Sequence, residues 1–215
     1  MDYSVCTVGI DGCRGGWLCS VIYPDYNISI KLVKQLNEAI EIFLKAKFVF
    51  IDMPIGLVSS CNEERNIDVL IRKQLGHPFS SSVFTVPCKQ AVYANDYKGA
   101  SKINREILGK GISIQAWNIC AKIKALDLFL KENQSLKSKF KETHPELCFK
   151  HLKGTSLNHK KKTAGGFSER MELLEQKQSD IKLIYKQFRQ EFLKKDVADD
   201  DMLDSLVLAI APFLV

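Results

Sequence analysis

The sequence predicts an α/β protein in which a mixed sheet, an antiparallel meander joined to parallel strands, is flanked by helices and interrupted by a helical insertion. Three observations predict it. Short β-branched runs open the chain, and the third of them is followed by a helical pattern and a further apolar run, as a parallel crossover requires. Roughly residues 58–135 carry helical periodicity instead, and the chain closes on an apolar helix headed by acids. With 215 residues and 46% hydrophobic content there is enough material for one good core, so 1–215 is expected to form one domain carrying that insertion.

The elements follow in order. Tyr3 to Ile10 is mostly apolar and reads as a buried strand, which ends in Asp11 and a turn rich in glycine at 12, 15 and 16. Those glycines make either a plain hairpin turn with a surface acid or a place where a ligand can approach the backbone, with the Arg14 guanidinium suited to phosphate. Trp17 to Tyr23 and Ile28 to Lys34 continue the meander around the turn Pro24-Asp25-Tyr26-Asn27. Leu36 to Ala46 places Leu36, Ile40, Phe43 and Leu44 on one helical face, and Phe48 to Asp52 is another buried strand ending in an acid. The right-handed crossover rule sets this strand beside the first, so Asp11 and Asp52 are expected as neighbours, with Met53-Pro54-Ile55-Gly56-Leu57 at the rim.

A helix from Glu63 to Leu75 carries Arg65, Asp68 and Arg72 and stops at Gly76 and Pro78. The segment His77 to Pro87 is too apolar to be floppy and is expected to lie over the site; Asn95 to Leu108 and Ile114 to Lys131 are two packing helices. Phe140 to Thr143 is a short strand, and His144-Pro145-Glu146 opens a helix through Leu152 with proline in its first turn. Glu146 is then either an acid favoured by the helix dipole or a further acid at the sheet edge that holds Asp11 and Asp52. Gly154 to Ser168, with Lys160-Lys161-Lys162 and Gly165-Gly166, reads as a basic flexible loop, Ser168 as a helix cap, and Ile181 to Leu193 as a basic amphipathic helix.

The closing helix holds Asp199, Asp200 and Asp201 in its first turn and Asp204 one turn further on the same face. One such acid would be a cap. Asp204 converges there with Asp200 and Asp201; such carboxylates repel one another, and a divalent cation is the simplest compensation. From Lys131 to Lys195 there are 16 Lys plus Arg against 8 Asp plus Glu, whereas Asp196 to Val215 has five Asp and no base. That asymmetry suits either an enzyme that holds a cation with its acids and phosphates with its bases, or a solvated lysine-rich surface. There is no apolar run of membrane-spanning length and no basic-then-apolar leader, and the seven cysteines are scattered, with no CxxC pair. A cytoplasmic protein without a disulfide framework or zinc site is expected.

The blocks Gly9-Ile10-Asp11-Gly12-Cys13-Arg14-Gly15-Gly16-Trp17, Ile51-Asp52-Met53-Pro54-Ile55-Gly56-Leu57, Arg72-Lys73-Gln74-Leu75-Gly76, His144-Pro145-Glu146, Lys162 to Arg170 and Asp200-Asp201-Met202-Leu203-Asp204 resemble the signature blocks of the domain-of-unknown-function family 429. The resemblance runs through nearly the whole chain in the same order. It implies a ribonuclease H-like fold and nuclease activity, and the Asp201-x-x-Asp204 helix is similar to the closing helix of Holliday-junction resolvases.

The residue chemistry points the same way. Asp11, Asp52, Asp201 and Asp204 supply hard oxygen ligands of the type Mg2+ or Mn2+ prefers, with Asp200 and Asp201 able to exchange roles. Glu146 is a further ligand or a helper of the attacking water, and Arg14, Trp17, Lys162 and Arg170 are the candidate substrate contacts. The expected function is metal-dependent hydrolysis of phosphodiester bonds in DNA or RNA. Two alternatives stay open: a noncatalytic module that binds nucleic acid or protein on the same fold, and an ATP-dependent phosphotransferase related to actin and sugar kinases, which would need a second glycine-rich nucleotide loop.

Overall fold

The computed structural model describes residues 5–63 and 65–210, and the ends of the first strand and last helix predicted from sequence, Tyr3–Ser4 and residues 211–214, lie outside them. The chain forms two compact units, one of Met1–Asp52 with Asn133–Val215 and one of Met53–Glu132. Strands β1 (Val5–Cys13), β2 (Gly16–Ile22) and β3 (Ile28–Val33) form the meander. The first strand runs three residues further than Ile10. Gly12 pairs with Trp17 and Cys13 with Gly16, so Asp11 sits within the hairpin opposite Leu18 and only Arg14 and Gly15 form the turn. Gly16 has φ of +139°, and a Cβ there would lie 2.1 Å from the Val33 carbonyl oxygen, which is why glycine stands at that corner.

The expected helix over 36–46 is shorter and split: Leu36–Ala39 is a 3-10 turn, α1 is Ile40–Lys45, and Ala46 already belongs to β4 (Ala46–Ile51), paired with Val5. Phe43 is buried as predicted, whereas Leu44 is exposed because the chain turns into the strand before completing another helical turn. Strand β4 lies parallel to β1 with Ile51 opposite Ile10.

The second unit then follows. Helix α2 is Ile67–Leu75 and not Glu63–Leu75, because the Glu63 carboxylate accepts from Ser59 N at 2.7 Å and the Arg65 guanidinium donates to the Ile55 and Gly56 carbonyls, which holds this stretch off the helix. Segment 77–87 carries one 3-10 turn, Phe79–Ser82, and is pinned to α2 by Arg72, which donates to the Val83 carbonyl and the Thr85 hydroxyl. A short α3 (Lys89–Val92), not foreseen, precedes α4 (Tyr97–Leu108), capped by Asp96, and α5 (Ile114–Glu132). Val58, Cys88, Ala91, Ala100 and Ile112 form a core here.

Back in the first unit, β5 (Phe140–Glu142) lies parallel to β4, giving the order β3-β2-β1-β4-β5. This mixed antiparallel and parallel sheet with helices is the predicted ribonuclease H-like arrangement. Helix α6 (Pro145–Lys153) has its proline in the first turn, where the missing N–H costs nothing. Helix α7 is Ala164–Glu175, so Ser168 is inside it and not its cap. Thr163 is the cap, its hydroxyl accepting from Gly166 N at 3.0 Å, and a Cβ at Gly166 would come within 2.0 Å of the Lys160 carbonyl oxygen. The two glycines expected in a flexible loop therefore build the first turn of a helix.

Helix α8 (Ile181–Glu191) is followed by α9 (Asp199–Ile210), which is buried from Met202 onward. It lies directly on β1 and β2. A Cβ on Gly9 would meet Ser205 O at 2.1 Å and Ala209 N at 2.2 Å, Thr7 Oγ1 donates to the Ala209 carbonyl at 2.7 Å, and the Ser20 and Ser205 hydroxyls are 2.8 Å apart. These contacts set the acidic start of α9 beside the end of the β1–β4 ladder. Among the described residues no helix is long and apolar enough to cross a membrane.

Candidate active site

Two strands place the first two acids. The parallel ladder ends at Ile10 and Ile51, and the next residues are Asp11 and Asp52, held in step by the Asp52 N–H donating to the Ile10 carbonyl at 3.0 Å. A carboxylate held next to another at the end of a buried ladder is costly. Burial raises the Asp11 carboxyl well above the usual carboxylate range, and Asp204, Asp52 and Asp201 push it the same way. Asp52 is pushed up to about 7, chiefly by burial and then by Asp204, with Glu142 and Glu146 adding to it and Lys161 opposing.

Helix α9 supplies the third acid. Asp204 is 3% exposed and its Oδ2 accepts from Lys161 Nζ at 2.9 Å; the same ammonium lies 3.5 Å from Asp200 Oδ2, one turn earlier on that face. Burial opposes the charge on Lys161, but Asp204, Asp11 and Asp200 outweigh it and hold the ammonium charged above the usual lysine range. Asp201 turns back, its Oδ2 accepting from Ala198 N at 2.8 Å and closing the first turn of α9. Its carboxyl is raised by burial and by Asp200 and Asp204, and it still contributes to the field at Asp11. Asp199 points elsewhere: Tyr185, Arg189 and Lys194 donate to it, and although burial opposes this they hold it below the usual range.

The remaining predicted positions divide. Glu146 lies 6% exposed at the start of α6, and both its oxygens accept from Arg170 NH2, at 2.7 and 2.8 Å. Arg170 is 1% exposed and also donates to the Gly166 and His159 carbonyls, so it is not the surface substrate contact expected from the sequence; burial and a fixed carboxylate partner hold it in the core. Trp17 is also a core residue, at 3% exposed, paired with Gly12 and Val33 across the meander. Arg14 and Lys162 are exposed and line one cavity of about 370 Å³ with Lys194, Lys195, Asp200 and Asp201. A Gly15 N–H to Asp196 carbonyl bond of 2.8 Å ties the hairpin turn to its opposite wall.

Sequence reasoning missed two residues here. The sequence reads Lys161 with its neighbours as one basic loop, and nothing in the run Lys160-Lys161-Lys162 tells which lysine turns inward. His144 is the half-buried residue at the N-cap position of α6; among the described residues its Nδ1 meets no hydrogen-bond partner, and burial holds its imidazole below the usual range despite Asp204 and Glu146. The triplet His144-Pro145-Glu146 was the available signal, read for its glutamate alone.

The donor set fits a hard divalent cation by its chemistry: buried Asp11 and Asp204 and half-buried Asp52 lie close enough that Asp204 pushes the carboxyls of Asp11 and Asp52 up, and one ammonium faces Asp204. Among the described residues, no three Asp, Glu, His or Cys side chains yet enclose a point that could hold the ion. Lys161 stands between Asp200 and Asp204 instead.

In comparisons with known proteins, a family model described as "Protein of unknown function (DUF429)" matches residues 9–212. No curated protein and no solved structure matches.

Proposed function

Because the chain belongs to the DUF429 family, whose description assigns no activity, its chemistry has to be argued from the site, and we propose a divalent-metal-dependent phosphodiesterase acting on DNA or RNA. The observation that carries this reading is the convergence of Asp11 and Asp52, just past the end of the parallel β1–β4 ladder, with Asp204 from one helix, burial and repulsion raising the first two. Such a cluster stores unfavourable charge that a Mg2+ or Mn2+ ion relieves. Asp11, Asp52 and Asp204 would hold the ion, with Asp201 or Asp200 completing the set. Bound there, the metal would supply an activated water and charge stabilisation for the leaving oxygen at phosphorus.

The chain's own residues do the rest. Arg14 and Lys162, on the cavity beside the acids, offer fixed positive charge to substrate phosphates. Glu146 acts through Arg170: the pair ties α6 to α7 and fixes where the lysine-bearing segment before α7 ends. A cytoplasmic address belongs to the same proposal and is supported by seven cysteines that are all free thiols.

Thermal unfolding with and without Mn2+, read alongside cleavage of labelled single-stranded and duplex DNA and RNA, tests the reading. Mn2+ should raise the wild-type midpoint and support cleavage of at least one substrate, and Asp11→Asn with Asp204→Asn should lose both responses. A wild-type protein that neither gains stability from metal nor cleaves any of the four would overturn it. The noncatalytic binding module is the second reading, favoured by one observation: Lys161 already balances part of the acidic charge without a metal.

A further inference from the structure

Lys161 is the one feature of the site that a bare carboxylate cluster does not explain. Its Nζ is 2.9 Å from Asp204 Oδ2 and 3.5 Å from Asp200 Oδ2, and Asp11 also contributes to holding it charged. Asp204 and Asp11 are the two most deeply buried acids of the cluster, at 3% and 7% exposed. The ammonium therefore occupies the position from which a cation can neutralise them. An ammonium and a divalent ion cannot share that position, since two positive charges a few ångströms apart in a half-buried site repel strongly.

We infer that Lys161 is the resident counter-ion of the carboxylate cluster and must leave Asp204 before the cluster takes a divalent cation, so that this side chain sets the metal affinity of the site. The inference rests on the metal reading above. Three observations support an ammonium that can move. The Lys161 side chain is 37% exposed, so it reaches the acids from the surface and not from the core. It precedes Thr163, the cap of α7, on a segment outside regular secondary structure. A cavity of about 550 Å³, lined by Lys161 itself with Lys162, Thr163 and Phe167, lies beside it and gives the displaced side chain somewhere to go. Lysine suits this use better than arginine, because its ammonium is a compact charge on a flexible stem and does not grip a carboxylate bidentately. Once displaced, its charge would sit with Lys162 on the side where substrate phosphates are expected.

The test is calorimetric titration of the intact, metal-free protein with MnCl2, comparing wild type with Lys161→Met and Lys161→Arg, with unfolding curves confirming that each variant is folded. Lys161→Met should bind Mn2+ about ten-fold or more tightly than wild type, because one competing charge has gone, and Lys161→Arg should bind no more tightly than wild type. A second measurement needs no variant. Acylation of lysines in the wild-type protein, read by mass spectrometry, should label Lys161 faster at saturating Mn2+ than without metal, while Lys102, in the other unit, is unchanged. Equal or weaker Mn2+ binding by Lys161→Met, or unchanged Lys161 labelling at saturating Mn2+, would overturn the counter-ion role and leave the metal reading standing. Absence of Mn2+ binding by both wild type and Lys161→Met would overturn both together.

Discussion

Arg170 NH2 donates to both carboxylate oxygens of Glu146, at 2.7 and 2.8 Å, in a pair where neither side chain is more than 8% exposed. Its NH1 reaches the Gly166 and His159 carbonyls, and the guanidinium lies over the Phe149 ring at 5.5 Å from its centroid. A buried pair of this kind gives little net stability over an apolar pair, but breaking it leaves a lone charge in the core. Arg170→Met is therefore expected to cost about 3–5 kcal/mol. The double variant Arg170→Met with Glu146→Gln should cost less than the sum of the two single variants. Urea unfolding of the four proteins measures this directly, and single variants within about 1 kcal/mol of wild type would show the pair to be unimportant.

Gly9 sets the distance between α9 and the sheet. A methyl group there would meet Ser205 O and Ala209 N, at 2.1 and 2.2 Å, and both are helix backbone. Neither can rotate away, so the whole helix has to lift from β1. Gly9→Ala should destabilise the protein by about 3 kcal/mol or more, at the upper end of overpacking effects. On the proposed metal reading, because α9 carries Asp204, any folded fraction should also lose the expected response to Mn2+. A variant with a wild-type unfolding midpoint would mean that α9 does not press on β1 as described.

Glu169 fastens the lysine-bearing segment to α7. Its oxygens accept from Lys153 Nζ at 2.6 Å and from the backbone N–H groups of Asn158 and His159 at 2.8 to 3.0 Å. Burial works against its charge, but these donors outweigh it and hold the carboxyl below its usual value of 4.5. A depressed folded pKa means that the unfolded chain binds the proton first, so the stabilisation is complete above about pH 4.5 and is lost as pH falls through the folded value. The stability difference between wild type and Glu169→Gln should be constant from pH 7 to 5 and shrink below that in denaturant titrations. A gap that widens on acidification would contradict the assigned partners.

Much of the site was legible because strands and buried helices announce themselves. Val8 and Val49 pair across the parallel ladder, as the two apolar runs and the helix between them required, and the neighbouring of Asp11 and Asp52 follows from that register. The apolar sequence after Asp204 likewise identified a buried helix. What was not legible depends on contacts that carry no period. Thr163 and Ser168 are both hydroxyl residues near Gly165-Gly166, and the pair of glycines reads as a breaker until the Lys160 carbonyl is seen against the first turn of α7. The choice of Lys161 over Lys160 or Lys162 is of the same kind: three identical residues in an irregular segment differ only in direction. Arg170 looked like a surface base because its buried partner, Glu146, is 24 residues away in the chain.

The wall of bases beside the acids makes the last prediction. Arg14 and Lys162 share a cavity with Lys194 and Lys195, whereas Trp17, proposed with them from the sequence, is buried in the sheet. On the proposed reading the two bases meet phosphates and therefore release counterions when substrate binds. Removing one such contact should lower affinity at all sequences and flatten the dependence of log affinity on log salt by about 0.7 for single strands or 0.9 for duplex. Fluorescence anisotropy on labelled oligonucleotides, with Asp204→Asn as the background so that nothing is cleaved, gives both numbers for Arg14→Ala and Lys162→Ala. Trp17→Phe should instead lower the unfolding midpoint and leave the salt slope unchanged, since its ring does not reach the cavity wall. If the two basic variants keep the parental slope while Trp17→Phe alters it, the substrate approaches along another face and the cavity between the hairpin turn and α9 is not its path.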